Sequence, residues 1–175
     1  KINGQIYKEY SINNSDIQTI SVSEKELTKE KSRVWIFNKP VGYVSSNREQ
    51  NTQKSLFRLF PKHIPRVVTV GRLDIMSEGL MIVTNNPSIS AYFENPKNQI
   101  KRKYFVNVKG EIKQELIYKT KKKLLIDNQF YRKINLRVIF SKSNFHSLEI
   151  ELFEGKNREI RKILSHFNLK ITKLK

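Results

Sequence analysis

The residues whose types and spacing could do chemistry gather in Gly71-Arg72-Leu73-Asp74-Ile75-Met76-Ser77-Glu78-Gly79-Leu80. Arg72 and Asp74 stand two apart, so in extended backbone both side chains project to one face, where a guanidinium keeps a carboxylate ionised. An ionised, partly dehydrated carboxylate is a competent nucleophile. The same residues also suit an ordinary ion pair in a glycine-bounded turn with Ser77 capping a helix, and local chemistry leaves both readings open. Elsewhere the inventory is thin. His63, His146 and His166 are scattered and fit no metal-ligand spacing, so no metal is expected. The sequence has no phosphate-cradling glycine loop and no G-x-S-x-G turn, and nothing in it calls for a small-molecule cofactor. Cysteine is absent, which excludes disulfides, thiolate metal sites and a cysteine nucleophile and suits a reducing cytoplasm.

Charge narrows the partner. The 175 residues hold 34 Lys and Arg against 16 Asp and Glu, a formal charge of +18. An excess of this size favours a polyanion, because each neutralised phosphate releases condensed counterions. A membrane-surface protein usually concentrates its charge on one basic amphipathic helix, whereas here it is spread along the chain. The opening KINGQIYKEYS has no apolar signal core, and no apolar run approaches the roughly 20 residues that cross a bilayer. A cytoplasmic nucleic-acid partner and no membrane are the expectation.

The elements that must position these groups alternate along the chain. Residues 1–23 carry weak apolar alternation around Asn-Gly and Asn-Asn-Ser-Asp, as short strands joined by turns do. Residues 24–32 are highly charged, a linker or solvated helix, and the main domain begins at Arg33 and runs to 175. VWIFN (34–38) reads as a strand ended by Lys39-Pro40, and Ser55–Phe60 as one or two helical turns stopped by Pro61. VVTV (67–70) and LMIVT (80–84) are strand-length runs flanking the Asp74 segment. Pro87–Glu94 reads as a short helix. RKYFVNVKG (102–110) alternates, with Tyr104, Val106 and Val108 on one face. Glu111–Lys123 reads as a basic helix, while INLRVIF (134–140) and SLEIELF (147–153) read as paired strands. Ile160, Ile163, Leu164 and Phe167 give a helix from about Asn157, with Arg158, Arg161 and Lys162 opposite. Strands outnumber helices and neighbours are hairpin-linked, so the expected class is α+β, a mixed and mostly antiparallel sheet flanked by helices and loops. The Lys121-Lys122-Lys123 run reads as a solvated face with at most a non-specific phosphate role.

Four segments in order carry a resemblance. GRLDIMSEGLMIVTNN resembles the catalytic motif of the bacterial ribosomal RNA pseudouridine synthases of the RsuA and RluB type. NKPVGYVSS (38–46) resembles the strand and loop that open that family's catalytic domain, IKRKYFVNVKG (100–110) its tyrosine motif and EGKNREIRKIL (154–164) its arginine motif. The resemblance covers about residues 33–175. Residues 1–23 are similar to the back half of the small alpha-L RNA-binding module that commonly precedes this domain. By the same resemblance, the module's front half and a continuation beyond LKITKLK lie outside this chain.

The resemblance implies a pseudouridine synthase fold, no cofactor, a monomer, and ribosomal RNA or a pre-ribosomal particle as partner. It implies Asp74 as nucleophile, Tyr104 as the active-site tyrosine and Arg161 as the cation that pairs with the aspartate. Arg72, Lys39, Arg102, Asn157 and Arg158 form the implied substrate-contacting set. Arg102 stands where relatives often have Lys, and Glu159 where Gln is common. Two other readings use the same residues. A non-catalytic basic RNA-binding or ribosome-assembly protein would use the charge without chemistry. A metal-dependent nuclease would need converging acids, for which Asp74 and Glu78 are the close pair near the proposed site.

Overall fold

Contacts divide the chain between Ser32 and Arg33 into two units. The computed structural model describes residues 1–28, 30–47, 49 and 52–175, apart from the side chain of Asn14. In the first unit Ile2 bridges Gln5 and Ile20, and a hairpin joins β1 (Ser21–Val22) to β2 (Lys25–Glu26). The Asn3 side chain ties the ends of its loop, accepting from the Gln18 and Thr19 amides and donating to the Asp16 carbonyl. No described residue of this unit is buried, as its size dictates. The hairpin is a correction to the sequence reading, because β2 falls inside 24–32 and the described residues there form no helix. Lys29, within that stretch, lies outside the described residues.

The second unit runs in order through β3 (Val34–Lys39), β4 (Tyr43–Val44), β5 (Lys54–Ser55), a 3₁₀ turn at Leu56–Leu59, β6 (Val68–Thr69), β7 (Gly79–Thr84) and α1 (Pro87–Glu94). It continues through β8 (Arg102–Lys109), α2 (Gln114–Thr120), β9 (Leu124–Ile126), β10 (Gln129–Tyr131), β11 (Asn135–Lys142), β12 (Phe145–Leu152), α3 (Glu159–His166) and β13 (Lys170–Leu174). Two antiparallel sheets dominate, β3-β7-β6 and β11-β12-β8-β13. The class is α+β, as the alternation implied.

Each sheet has its own core. Leu56, Val67, Met81 and Val83 are buried beside β3 and β7, with Phe60 set edge-on between Phe37 and Phe57 at 4.9 and 5.4 Å. Val106, Val108, Leu148, Ile150 and Leu152 form the larger core, closed by Ile160, Ile163 and Leu164 of α3. Tyr104 packs against this cluster from the same face of β8. His146 is buried here too, its Nε2–H donating to the Gly110 carbonyl at 2.8 Å while Nδ1 accepts from the Ser141 hydroxyl at 2.7 Å.

The start of β7 meets the end of β13. The Glu78 amide donates to the Leu174 carbonyl at 3.0 Å, and Gly79, at φ +114°, lies so close that a Cβ would come within 3.1 Å of Lys175. Only glycine fits that conformation and that approach comfortably. The segment 71–78 therefore opens at the seam between the two cores.

Other elements also differ from the sequence reading. The helix expected over Glu111–Lys123 is α2 alone, and it closes at Thr120, whose hydroxyl back-bonds to the Leu116 carbonyl at 2.7 Å. The hairpin of β9 and β10 went unread. Val67 and Val70 flank β6 rather than extend it. No helix among the described residues is long and apolar enough to cross a membrane.

Candidate active site

Residues 71–78 have no regular structure, yet nearly every turn of the segment is tied down. The Ser45 hydroxyl donates to the Leu73 carbonyl at 3.0 Å and accepts from the Leu73 amide at 3.2 Å. The Gly42 amide donates to the Ile75 carbonyl at 2.7 Å, and the Ser77 amide to the Asp74 carbonyl at 3.0 Å. Beneath them lies the ammonium of Lys39, which donates to the carbonyls of Pro40, Asp74 and Ser77 at 3.1, 3.1 and 2.8 Å. The residue has no solvent exposure. Burial lowers its pKa, and the charge of Asp74 partly offsets this.

Lys39 is therefore not a substrate contact, which corrects its place in the implied substrate-contacting set: its three donors are spent on main-chain carbonyls beneath the loop. The expected pairing of Arg72 with Asp74 is not among the ion pairs of the described residues. Among the described residues, the cations within 4 Å of the Asp74 carboxylate are Arg161, with Nε 3.2 Å from Oδ2, and Arg158, with Nη1 at 3.8 Å. Arg161 reaches further, donating through Nη2 to the Met76 carbonyl at 3.0 Å and the Ser77 hydroxyl at 3.1 Å. Ser77 caps no helix; it precedes β7 and serves as an acceptor for Arg161.

Arg158 and Arg161 reach Asp74 because of how α3 begins. Arg158 is the residue before the first turn and adopts a left-handed conformation at φ 54°, while the Lys162 amide makes the first helical bond to its carbonyl. Ile160, Ile163 and Leu164 anchor the opposite face in the larger core, which turns Arg161 toward the seam.

Asp74 lines a cavity of about 630 Å³ together with Arg72, Arg102, Tyr104, Asn157, Arg158 and Arg161. Seven of the eight residues singled out from sequence thus share one hollow, and Lys39 lies beneath its floor. The volume lies in the range of small-molecule sites. Burial pushes the Tyr104 pKa up, opposed by the charge of Arg102 and helped by Glu159 and Asp74, so its hydroxyl keeps its proton at neutral pH. Arg102 donates to the Phe93 carbonyl at 3.4 Å, steadying its guanidinium on the rim. Glu78 is engaged elsewhere, 3.0 Å from Lys173, and no three metal-ligating side chains converge among the described residues. A second hollow of about 390 Å³, lined by Phe57, Phe60, Lys62 and Arg66 among others, contains no carboxylate.

Sequence reasoning missed Ser45 and Gly42 as supports of the loop, and it missed a carboxyl pair. Glu154 and Glu159 both line the cavity and are both buried. The EGKNRE spacing, two acids five apart around a glycine, was the available signal.

The chain is similar to known proteins. The family profile described as RNA pseudouridylate synthase matches residues 33–166. An uncharacterised RNA pseudouridine synthase of Rickettsia bellii is 40% identical over 147 residues, covering 84% of this chain and 63% of that protein. The ribosomal large subunit pseudouridine synthase B of Bacillus subtilis is 26% identical over 178 residues, covering all of this chain and 72% of that protein. A crystal structure of a pseudouridylate synthase superposes with a TM-score of 0.75 at 21% identity, over 99% of this chain and 74% of the other, a likeness of fold. The chain spans 59–63% of the length of the Rickettsia relatives it matches. With the profile spanning most of the second unit, from β3 to the end of α3, and the aspartate loop, tyrosine strand and arginine helix meeting at one cavity, the chain belongs to the RNA pseudouridylate synthase family.

Proposed function

We propose that this protein isomerises a uridine of ribosomal RNA to pseudouridine, with Asp74 as nucleophile. The single observation that carries the reading is the Asp74 carboxylate on the Arg161 guanidinium at 3.2 Å, in a cavity lined by Tyr104. Family membership and the charge of +18 support an RNA substrate.

The isomerisation breaks the bond from ribose C1′ to uracil N1, turns the base and joins C1′ to C5, with the C5 proton lost and N1 protonated. No electrons are exchanged, so no redox cofactor is called for. A stacked base is out of reach, so the uridine is everted into the cavity at a cost of a few kcal/mol that is least in loops. Asp74 then acts on the ribose, either by attack at the anomeric carbon or by the proton abstraction that opens a glycal route. Arg161 fixes the direction of the carboxylate, and its bonds to Met76 and Ser77 fix Arg161 itself. Tyr104 offers a flat face to the uracil. As a phenol, its hydroxyl takes the C5 proton only as it gives up its own. Arg72, Arg102, Asn157 and Arg158 face the same hollow and suit the flanking phosphates and ribose.

The test is Asp74→Asn assayed by tritium release from RNA labelled at uridine C5. We expect RNA binding within about threefold of the parent and turnover reduced at least about 10³-fold. Residual turnover above a tenth of the parent rate removes Asp74 from the role. A parent protein that binds RNA yet releases no tritium from any ribosomal substrate would instead favour a purely binding protein.

A further inference from the structure

Glu159 is 4% exposed at the first turn of α3. Its Oε2 accepts the Lys156 amide at 2.9 Å, while Oε1 is buried and meets no donor. Glu154 is the carboxyl beside it: both line the cavity, Lys156 joins them through its amide on Glu159 and its ammonium on Glu154, and each carboxyl acts on the other as a hydrogen-bonding neighbour. Two carboxylates cannot hydrogen-bond without a proton between them, and two buried negative charges in contact repel strongly. One of the pair is therefore neutral.

The surroundings decide which. Glu154 Oε1 accepts from the Arg132 amide at 2.7 Å and from the Lys156 ammonium at 3.2 Å, and Oε2 lies 3.1 Å from the same ammonium. Arg132 Nε adds a more distant contact at 3.8 Å. Burial raises the Glu154 pKa, but these donors outweigh it and hold the group below its usual range. Glu159 has one amide. Among its charged neighbours the Lys156 ammonium favours the ionised form but is already bonded to Glu154, whose carboxylate opposes a second charge, and Tyr104 brings no cation. Burial, partly countered by the Lys156 amide and reinforced by the charge of Glu154, pushes Glu159 up to about 7.

We propose that Glu159 is a proton-carrying positioning residue: as the neutral acid it clamps Glu154, and so fixes the 154–158 segment and the start of α3 that aim Arg158 and Arg161 at Asp74. When it ionises, the two carboxylates part and the turn holding Arg158 at its left-handed conformation loosens. The clamp rests on the pseudouridine reading only for its effect on turnover.

The sign follows from linkage. A carboxyl raised from 4.5 to about 7 on folding contributes stability that is complete below about pH 4.5 and is lost as pH climbs through 7. Glutamine has the shape of the neutral acid, donating to Glu154 and accepting from Lys156. The experiment compares the full chain with Glu159→Gln in thermal midpoint and in tritium release from about pH 5.5 to about pH 8.5. In the parent, turnover is expected to fall about tenfold between about pH 6 and about pH 8 relative to E159Q, which matches it near pH 6. The parent midpoint is expected to decline through the same window relative to that of E159Q. Parallel profiles in both readouts, or an E159Q protein that does not fold, overturn the proposal. If neither protein releases tritium, the functional reading falls and the midpoints alone still judge the clamp.

Discussion

Two groups of cations in the second unit invite comparison. Arg161 keeps only 17% of its side chain exposed and bonds to Asp74, Met76 and Ser77, three groups of one loop. Lys122 and Lys123 lie instead over the rings of Tyr118 and Phe130, at 4.5 and 4.0 Å from the centroids, and both rings are more than half exposed. The lysines are tethered to their own neighbourhood and remain in water. Total charge thus identifies the class of partner, whereas only a cation buried against a carboxylate identifies a site.

The sharpest way to break this contrast is Arg161→Ala. We expect pseudouridine formation to fall about 10²- to 10³-fold in tritium release, while retention of RNA on a filter at fixed salt changes less than about fivefold. A loss confined to RNA affinity would put Arg161 in the same class as the lysines. Next in size is Lys39→Met, which keeps the volume but leaves three carbonyls beneath the loop without their donor. Urea unfolding should register a loss of about 3 kcal/mol, with turnover down about tenfold as the loop relaxes. An unchanged midpoint would mean that water replaces the ammonium freely. The smallest effect belongs to the double variant Lys122→Ala, Lys123→Ala. Turnover at low salt should change less than about twofold, and the slope of log affinity against log salt should shallow by no more than about 2. A turnover defect as large as that of Arg161→Ala would erase the distinction altogether.

The sequence was most readable where a period repeats. β8 alternates, so Tyr104, Val106 and Val108 fall on the packed face together, and the spacing of Ile160, Ile163 and Leu164 places α3 on the larger core. The β9–β10 hairpin is too short for a period, but its Asp127-Asn128 turn, with φ of 49° and 58°, uses residues that tolerate that conformation and was a usable signal. The convergence of Asp74, Tyr104 and Arg161 on one hollow came from motif order rather than from local pattern. The wiring was out of reach. Arg161 approaches Asp74 from 87 residues away, and the lysine of a Lys-Pro pair gives no hint that its ammonium ends beneath a loop 35 residues further on. Arg72 shares the cavity with Asp74 without pairing with it, and the types of neighbouring residues do not say which arginine a carboxylate takes. Polar contacts between distant segments follow from packing, and packing is not written in any single stretch of chain.

The bond from Glu78 to Leu174 has a kinetic meaning. Since it joins the last residue of the aspartate loop to β13, the loop is tied into the larger sheet at that end. With the Leu73 and Ser77 amides bonded as well, the amides of Leu73, Ser77 and Glu78 should exchange with deuterium more slowly than those of an untied loop, despite belonging to no regular element. Such a carboxylate arrives preorganised: its entropy is surrendered once, at folding, and is not lost again with each molecule of RNA that docks.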